Sequence, residues 1–188
     1  MSTSDVNRYD RQIRAWGFET QRRLQASKIF VKGINWTSIE CMKNLILAGV
    51  GKIVIFDESN KQNTDLQVLS TLNPNTQMEF TYQPEITNYD VICLFDSDED
   101  TIEEAIKSDK VVIVCFGVAA YLVYQQRDFH FNTESEKTDN LGYTICGGLI
   151  SQMIVDHLPP LTTPVALKLD YSPSNYSAKI VSVAEASN

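Results

Sequence analysis

Two hydrophobic periods alternate along this chain. Tyr9, Ile13 and Trp16 fall at i, i+4 and i+7, one apolar stripe of a helix that Ser4 or Asp5 is placed to cap. Arg8, Arg11 and Arg14 recur every third residue and make a second, basic stripe on the same helix. Gly17 predicts a break, and residues 18–26 predict a second short helix. Then the period shifts. Residues 28–32 (KIFVK) form a β-branched and aromatic run that stops at Gly33; residues 37–48 return to helical spacing with Ile39, Met42, Leu45 and Ile46 inward; residues 52–56 (KIVIF) form another buried run, closed by Asp57. Further strands are predicted at 78–83, 90–95 and 110–116. A short helix at 101–108 lies between the last two. Alternation over 120–131 predicts an antiparallel extension, followed by a polar loop at 132–141. An apolar helix over 144–158, opened by Gly147 and Gly148, and strands at 165–170 and 178–183 complete the order.

Three of these strands are unbroken apolar runs, the mark of parallel strands covered on both faces. The strand–Gly–helix–Gly–strand–Asp order over 28–57 is a βαβ unit. The fold class expected is α/β: a Rossmann-like, mostly parallel sheet with two N-terminal helices and antiparallel closing strands. The expected division is a helical segment over 1–27, the α/β domain over 28–184 and a frayed tail over 185–188.

Charge adds an asymmetry that the pattern does not show. The 188 residues carry 16 Lys+Arg and 24 Asp+Glu, a formal −8, which argues against a nucleic-acid binder that relies on bulk charge. Residues 1–32 hold seven basic and three acidic groups, a local +4, so the remainder carries −12. The apolar runs are far shorter than the ~20 residues of a membrane span, so no membrane is expected as a partner. Cys41, Cys93, Cys115 and Cys146 form no C-x-x-C pair, and there are two histidines, so no metal site is expected. Without a signal peptide, the chain reads as intracellular and reduced.

The turn after the first strand is where a dinucleotide fold places G-x-G-x-x-G. Here Gly33 keeps the first glycine. Asn35 replaces the second and Ser38 the third, with Trp36 between, and Asp57 stands where a ribose-binding acid would lie. A nucleotide site and a scaffold that has lost one are both open. Side chains at 35 and 36, expected to fill the phosphate cradle, favour the second. The acidic run Asp96, Asp98, Glu99, Asp100, Glu103 and Glu104 reads either as a carboxylate site or, more simply, as acids favoured at the start of the next helix. Neither His130 nor His157 has a Ser or Cys partner at a catalytic spacing. The arginine stripe is either a solvated face or a phosphate-recognising one.

Residues 9–17 (YDRQIRAWG), Gln21-Arg22-Arg23-Leu24 and residues 43–50 (KNLILAGV) resemble the activating enzymes for ubiquitin-like proteins. Leu72-Asn73-Pro74, Tyr89-Asp90-Val91-Ile92 and residues 146–152 (CGGLISQ) are similar as well. Such enzymes pair two adenylation-type domains of the ThiF/MoeB type, one binding ATP and one inactive. The chain is most similar to the small, non-catalytic subunits of SUMO-activating heterodimers. Its degraded glycine loop supports the inactive half, as does Glu58-Ser59-Asn60-Lys61-Gln62 in place of the family's Asn-Leu-x-Arg-Gln stretch. The segment Asp96-Ser97-Asp98 falls at the family's catalytic Asp position, and no cysteine has the thioester setting.

The resemblance implies that this chain has no catalytic residue and binds no cofactor of its own. ATP and Mg²⁺ would belong to a larger partner with an intact G-x-G-x-x-G and a thioester cysteine, and SUMO would be the modifier. Arg11, with Arg14 one turn on, would reach the partner's ATP phosphates, and Tyr9, Ile13 and Trp16 would dock the helix. The location implied is the nucleus, the cytoplasm or both. The alternatives are a self-sufficient homodimeric sulfur-carrier activator, an NAD(P) oxidoreductase and a pure scaffold.

Overall fold

A computed structural model describes residues 7–58, 64–82, 86–126, 129, 131 and 138–183. Two short helices, α1 (Asp10–Trp16) and α2 (Phe18–Ala26), precede β1 (Lys28–Lys32), α3 (Trp36–Ala48) and β2 (Lys52–Phe56). Then come α4 (Thr64–Thr71), β3 (Gln77–Phe80), β4 (Val91–Phe95), α5 (Glu99–Lys107), β5 (Val111–Phe116) and β6 (Ala119–Tyr124). The chain closes with α6 (Asn140–Asp156), β7 (Val165–Ser172) and β8 (Ser177–Ser182). The eight strands make one sheet in the order β3-β2-β1-β4-β5-β6-β7-β8. The first five in that order are parallel and the last three antiparallel, as the sequence predicts.

Alternate residues of the central strands enter two separate apolar layers. Ile29, Val31, Ile53, Ile55 and Cys93 face α3 and α6, where Met42, Leu45, Ile150 and Ile154 meet them. Phe30, Val54, Ile92, Leu94 and Val112 face α5 through Ile102, Ala105 and Ile106. This two-sided burial explains why the strands read as continuous apolar runs. Gly147 lies in the middle of α6 and lets it close on α3. A Cβ there would sit 2.7 Å from Glu40 Cβ and 2.7 Å from the Thr37 carbonyl oxygen.

Three expectations change. Gly147 and Gly148 do not open the last helix; Asp139 does, its side chain accepting the Gly142 amide at 3.0 Å. The extension after β5 ends at Tyr124 rather than running to 131. Gln125 takes φ +54°, and Phe129 and Phe131 turn back to stack edge-on against Tyr121 at 5.7 and 5.4 Å. The edge strand β3 stops at Phe80. The proposed caps Ser4 and Asp5, His130 and the 185–188 tail lie outside the described residues.

All four cysteines are free and buried, and desolvation pushes their thiols up, Cys146 to about 12. They are inert packing groups, and the described residues contain no cluster able to hold a metal ion. Among the described residues no helix is long and apolar enough to cross a membrane.

Candidate functional site

The strand order reverses between β1 and β4, the position in an open α/β sheet where a crevice forms beyond the carboxyl ends of the strands. A cleft of 390 Å³ lies there, walled by the ends of β1, β2 and β4 and the turns after them. Gly33 is needed for it: its φ is +87°, and a Cβ would overlap the Phe95 carbonyl oxygen. The first strand and the fourth therefore approach backbone to backbone.

The helix that begins at this cleft has its own acceptor. Asn35 is the N-cap of α3, and its Oδ1 accepts the Ser38 amide at 2.8 Å. The Asn35 amide in turn donates to Ser38 Oγ at 2.9 Å, closing a capping box. Asn35 Nδ2 donates to Asp96 Oδ2 at 2.8 Å, and the Gly117 amide donates to Asp96 Oδ1 at 3.1 Å. Asp96 sits in the left-handed region at φ +50°, which Asp tolerates better than most residues. Trp36 does not enter the cradle: it is 59% exposed and absent from the cleft wall. Of the two residues expected to fill the cradle, Asn35 does so and Trp36 does not.

Lys32 bridges the acidic side, donating to Asp98 Oδ2 at 2.9 Å and to Thr101 Oγ1 at 3.0 Å, with Glu58 at 3.4 Å. Desolvation alone would lower the Lys32 ammonium, but the pairs with Asp98 and Glu58 outweigh it and raise it. Asp98 is held well below the usual carboxylate range, chiefly by the Thr101 backbone amide that it caps and then by Lys32. The expected helix-start role of the acidic run thus falls to Asp98, the N-cap of α5.

A nucleotide does not fit this cleft. The Ser38 amide that would face a phosphate is taken by Asn35, and the Asp96 carboxylate stands against the cap. The wall carries Asp57, Glu58, Asp96 and Asp98 against one ammonium, a formal −3. Phosphates would meet like charge where a glycine-rich loop offers backbone donors.

The N-terminal helix occupies the opposite end of α3. Tyr9 is 1% exposed, with its ring over Gly49, where a Cβ would lie 2.5 Å from the ring. Its hydroxyl accepts from Asn73 Nδ2 at 2.8 Å, and the same amide group donates to the Ile46 carbonyl at 2.7 Å. Trp16 Nε1 donates to Gln21 Oε1 at 3.0 Å, and buried Gln21 passes the link to the Ala48 carbonyl at 2.7 Å. Tyr9 and Trp16 therefore fasten α1 to the chain's own body, and Ile13 is half-buried beside them. Arg14 pairs with Asp10 at 3.1 Å. Arg11 is exposed and has no hydrogen-bond or ion-pair partner among the described residues. Asn73 and Gln21, which hold this helix, carry no functional signal in the sequence beyond their places in the Leu72-Asn73-Pro74 and Gln21-Arg22-Arg23-Leu24 resemblances.

No family model matches the chain. Subunit 1 of the SUMO-activating enzyme from Rattus norvegicus is 30% identical over 138 aligned residues, covering 59% of this chain and 39% of the rat protein. The Danio rerio subunit 1 is 25% identical over 171 residues, covering 73% of this chain and 49% of that protein. Subunit 1B-1 from Arabidopsis thaliana is 52% identical over 50 residues, 27% of this chain and 16% of its own length. The chain thus spans at most about half the length of these relatives. Among solved structures, PaaA superposes with a TM-score of 0.68 at 16% identity, over 97% of this chain and 74% of PaaA. Escherichia coli MccB with MccA-N7isoASN superposes with a TM-score of 0.62 at 13% identity, over 94% and 71%. These two likenesses establish the fold.

Proposed function

From its distant homology to subunit 1 of the SUMO-activating enzyme, within the activating enzymes of ubiquitin-like proteins, we infer that the chain is the non-catalytic subunit of such a heterodimer. It completes the ATP site of a larger catalytic partner in trans, with SUMO as the modifier activated, in the nucleus, the cytoplasm or both. One observation carries the reading. Arg11 is a guanidinium without a partner among the described residues, on a helix fastened to the carboxyl end of α3, while the chain's own crevice lies at the amino end. Thirteen helical residues separate the two ends, about 20 Å at 1.5 Å per residue. Arg11 cannot reach its own crevice, but it is free to reach into another chain's.

The chemistry is adenylation, in which the modifier's terminal carboxylate attacks the α-phosphorus of ATP and pyrophosphate leaves. That ATP and its Mg²⁺ are held by the partner. Arg11 supplies a planar, permanently charged donor set that offsets charge gathering on the phosphate oxygens. Arginines lent in trans to GTPases contribute about 10³–10⁵ in rate. A smaller factor is expected here, because the partner contributes donors and a metal. Arg14 supports the same face but is already neutralised by Asp10.

The test is modifier-dependent pyrophosphate exchange by the reconstituted pair. Arg11→Ala lowers the exchange rate by about tenfold or more, the loss of at least one charge-assisted hydrogen bond in the transition state. Heterodimer formation, followed by size-exclusion chromatography, stays intact. An unchanged exchange rate refutes the assignment.

A further inference from the structure

We propose that the free edge of β3 is a docking site for an extended segment of another polypeptide. The segment adds to the eight-stranded sheet as one more strand and carries a Lys or Arg between two apolar residues. The inference does not rest on the subunit reading above.

The backbone of β3 is open on one side. It lies at the end of the strand order, with β2 its one hydrogen-bonded strand neighbour among the described residues. The Gln77 and Thr81 amides donate to the Gly51 and Ile55 carbonyls, each at 2.9 Å. In a parallel ladder the residues that bond one neighbour alternate with those that face away. Met78 and Phe80 therefore direct their N–H and C=O groups outward, where an added strand bonds. The edge is held ready for one. Thr76 Oγ1 donates to the Val50 carbonyl at 2.7 Å, Glu79 pairs with Lys52 at 2.6 Å, and the Met78 side chain packs on the core. Apolar anchors stand beside it uncovered, Phe80 at 59% exposure and Tyr82 at 78%. Lysine and proline, the usual guards of an edge, are both missing from Gln77–Phe80, whereas the opposite edge strand β8 has Lys179 within it.

Charge chooses the occupant. Glu79 lies on the opposite face of the strand from Phe80, and its side chain is largely exposed. Two copies of this chain meeting antiparallel through both outward residues would pair Met78 with Phe80 and set Glu79 directly against Glu79. Like charges directly opposite are destabilising, so a second copy is disfavoured. A strand with Lys or Arg at that position reverses the sign. On the inner side β2 already does this, where Lys52 meets Glu79. The surroundings agree: residues 52–82 hold Asp57, Glu58, Asp65 and Glu79 against Lys52 and Lys61.

The flanking positions follow from the pleat. Residues of the added strand opposite Met78 and Phe80 project on the face that carries the Phe80 ring, the face of Ile53 and Ile55. Apolar side chains there cover an exposed aromatic, and the basic residue between them projects on the Glu79 face. The recognised pattern is apolar–basic–apolar, read over three residues, with main-chain bonds supplying the rest.

The experiment uses the full chain and a soluble probe, acetyl-Lys-Thr-Val-Lys-Val-Thr-Lys-amide, followed by amide hydrogen exchange and NMR shifts. In the free chain the Gln77 and Glu79 amides should be protected, and those of Met78 and Phe80 should exchange fast. Saturable shifts are expected at Met78 and Phe80, with a Kd on the order of 1 mM. Peptide at about ten times its Kd should slow exchange of that pair about tenfold. The same peptide N-methylated at its three central residues keeps the side chains and loses the donors, so it should give no slowing. A second probe with Glu for the central Lys should bind about threefold more weakly or worse. Phe80→Pro removes an outward donor and leaves the bonds to β2, which residues 77, 79 and 81 make; it should weaken the lysine probe about threefold or more. Glu79→Lys should exchange the preference between the two probes, a reversal that loss of fold would not produce. Equal slowing by the N-methylated peptide, no slowing by either probe, or an unchanged preference in Glu79→Lys would overturn the proposal. So would protection of Met78 and Phe80 that rises with protein concentration in the absence of peptide, because a second copy would then fill the edge.

Discussion

Tyr9→Phe isolates the contact that holds α1 in place. The substitution keeps the ring over Gly49 and deletes one oxygen. What remains is an Asn73 Nδ2 hydrogen with no acceptor, since its other hydrogen is committed to the Ile46 carbonyl. Asn73 and Tyr9 are both almost fully buried, so water cannot substitute easily. An unsatisfied buried donor costs about 1–3 kcal/mol. Urea unfolding of the isolated chain should therefore show a loss of about 1–2 kcal/mol with an unchanged m-value, because the helix stays docked. Tyr9→Ala should cost about 3–5 kcal/mol, as expected for a buried aromatic, and should also free α1. Two readouts follow that the fold alone would not give. Amide exchange in α1 should rise sharply in the alanine variant and little in the phenylalanine one. In the reconstituted pair, the alanine variant should behave like Arg11→Ala in pyrophosphate exchange, although the arginine is untouched. A Tyr9→Phe cost below about 0.3 kcal/mol would refute the argument that the hydroxyl is an anchor, since that is within the ordinary range of surface substitutions. So would an alanine variant with normal α1 protection.

Two further predictions concern the crevice. Gly33→Ala forces a Cβ into the left-handed region and against the Phe95 carbonyl, so thermal or urea unfolding should show a loss of about 2 kcal/mol or more; a change below about 0.5 kcal/mol would contradict the close approach of β1 and β4. Asp98 has a folded-state pKa below its unfolded value, so its stabilising effect is complete above the unfolded pKa and is lost as pH falls toward the folded one. The difference in urea midpoint between about pH 7 and about pH 3, which straddles the ordinary Asp value of about 3.9, should be smaller in Asp98→Asn than in the parent chain. An identical difference would show that the Thr101 amide and Lys32 do not hold that carboxylate.

Much of the fold was legible because its signals are local. The runs at 28–32 and 52–56 coincide with the observed strands, each an apolar stretch bounded by charge and glycine. Gly17 and Gly49 mark helix ends because both adopt positive φ. The start of the last helix is hidden in the sequence because the helix is apolar nearly all round and because a glycine pair inside a helix resembles a terminus. Gly147 is there for contact with α3, a reason visible only across more than a hundred residues of chain. Alternation past Tyr124 suggested more strand, yet the same residue types serve equally well in a segment that folds back to cover Tyr121.

At the site the division is similar. That the nucleotide loop was degraded could be read from Asn35 and Ser38, and the capping box is itself a local pattern of two residues three apart. That Asp96 reaches across 61 positions to stand against that cap could not be read, nor that Trp36 turns outward while Ser97 turns in. The basic stripe is visible as a period, but nothing in a period says which arginine has no partner among the described residues or which end of α3 it lies beside. By itself the sequence determined the elements, because i, i+2 and i, i+4 spacings are set by backbone geometry within a few residues. The tertiary structure decided what stands at the two ends of α3, because the hydrogen bonds joining Asn73 to Ile46, Asn35 to Asp96 and Gly117 to Asp96 span 27, 61 and 21 positions, and only packing chooses among so many possible partners.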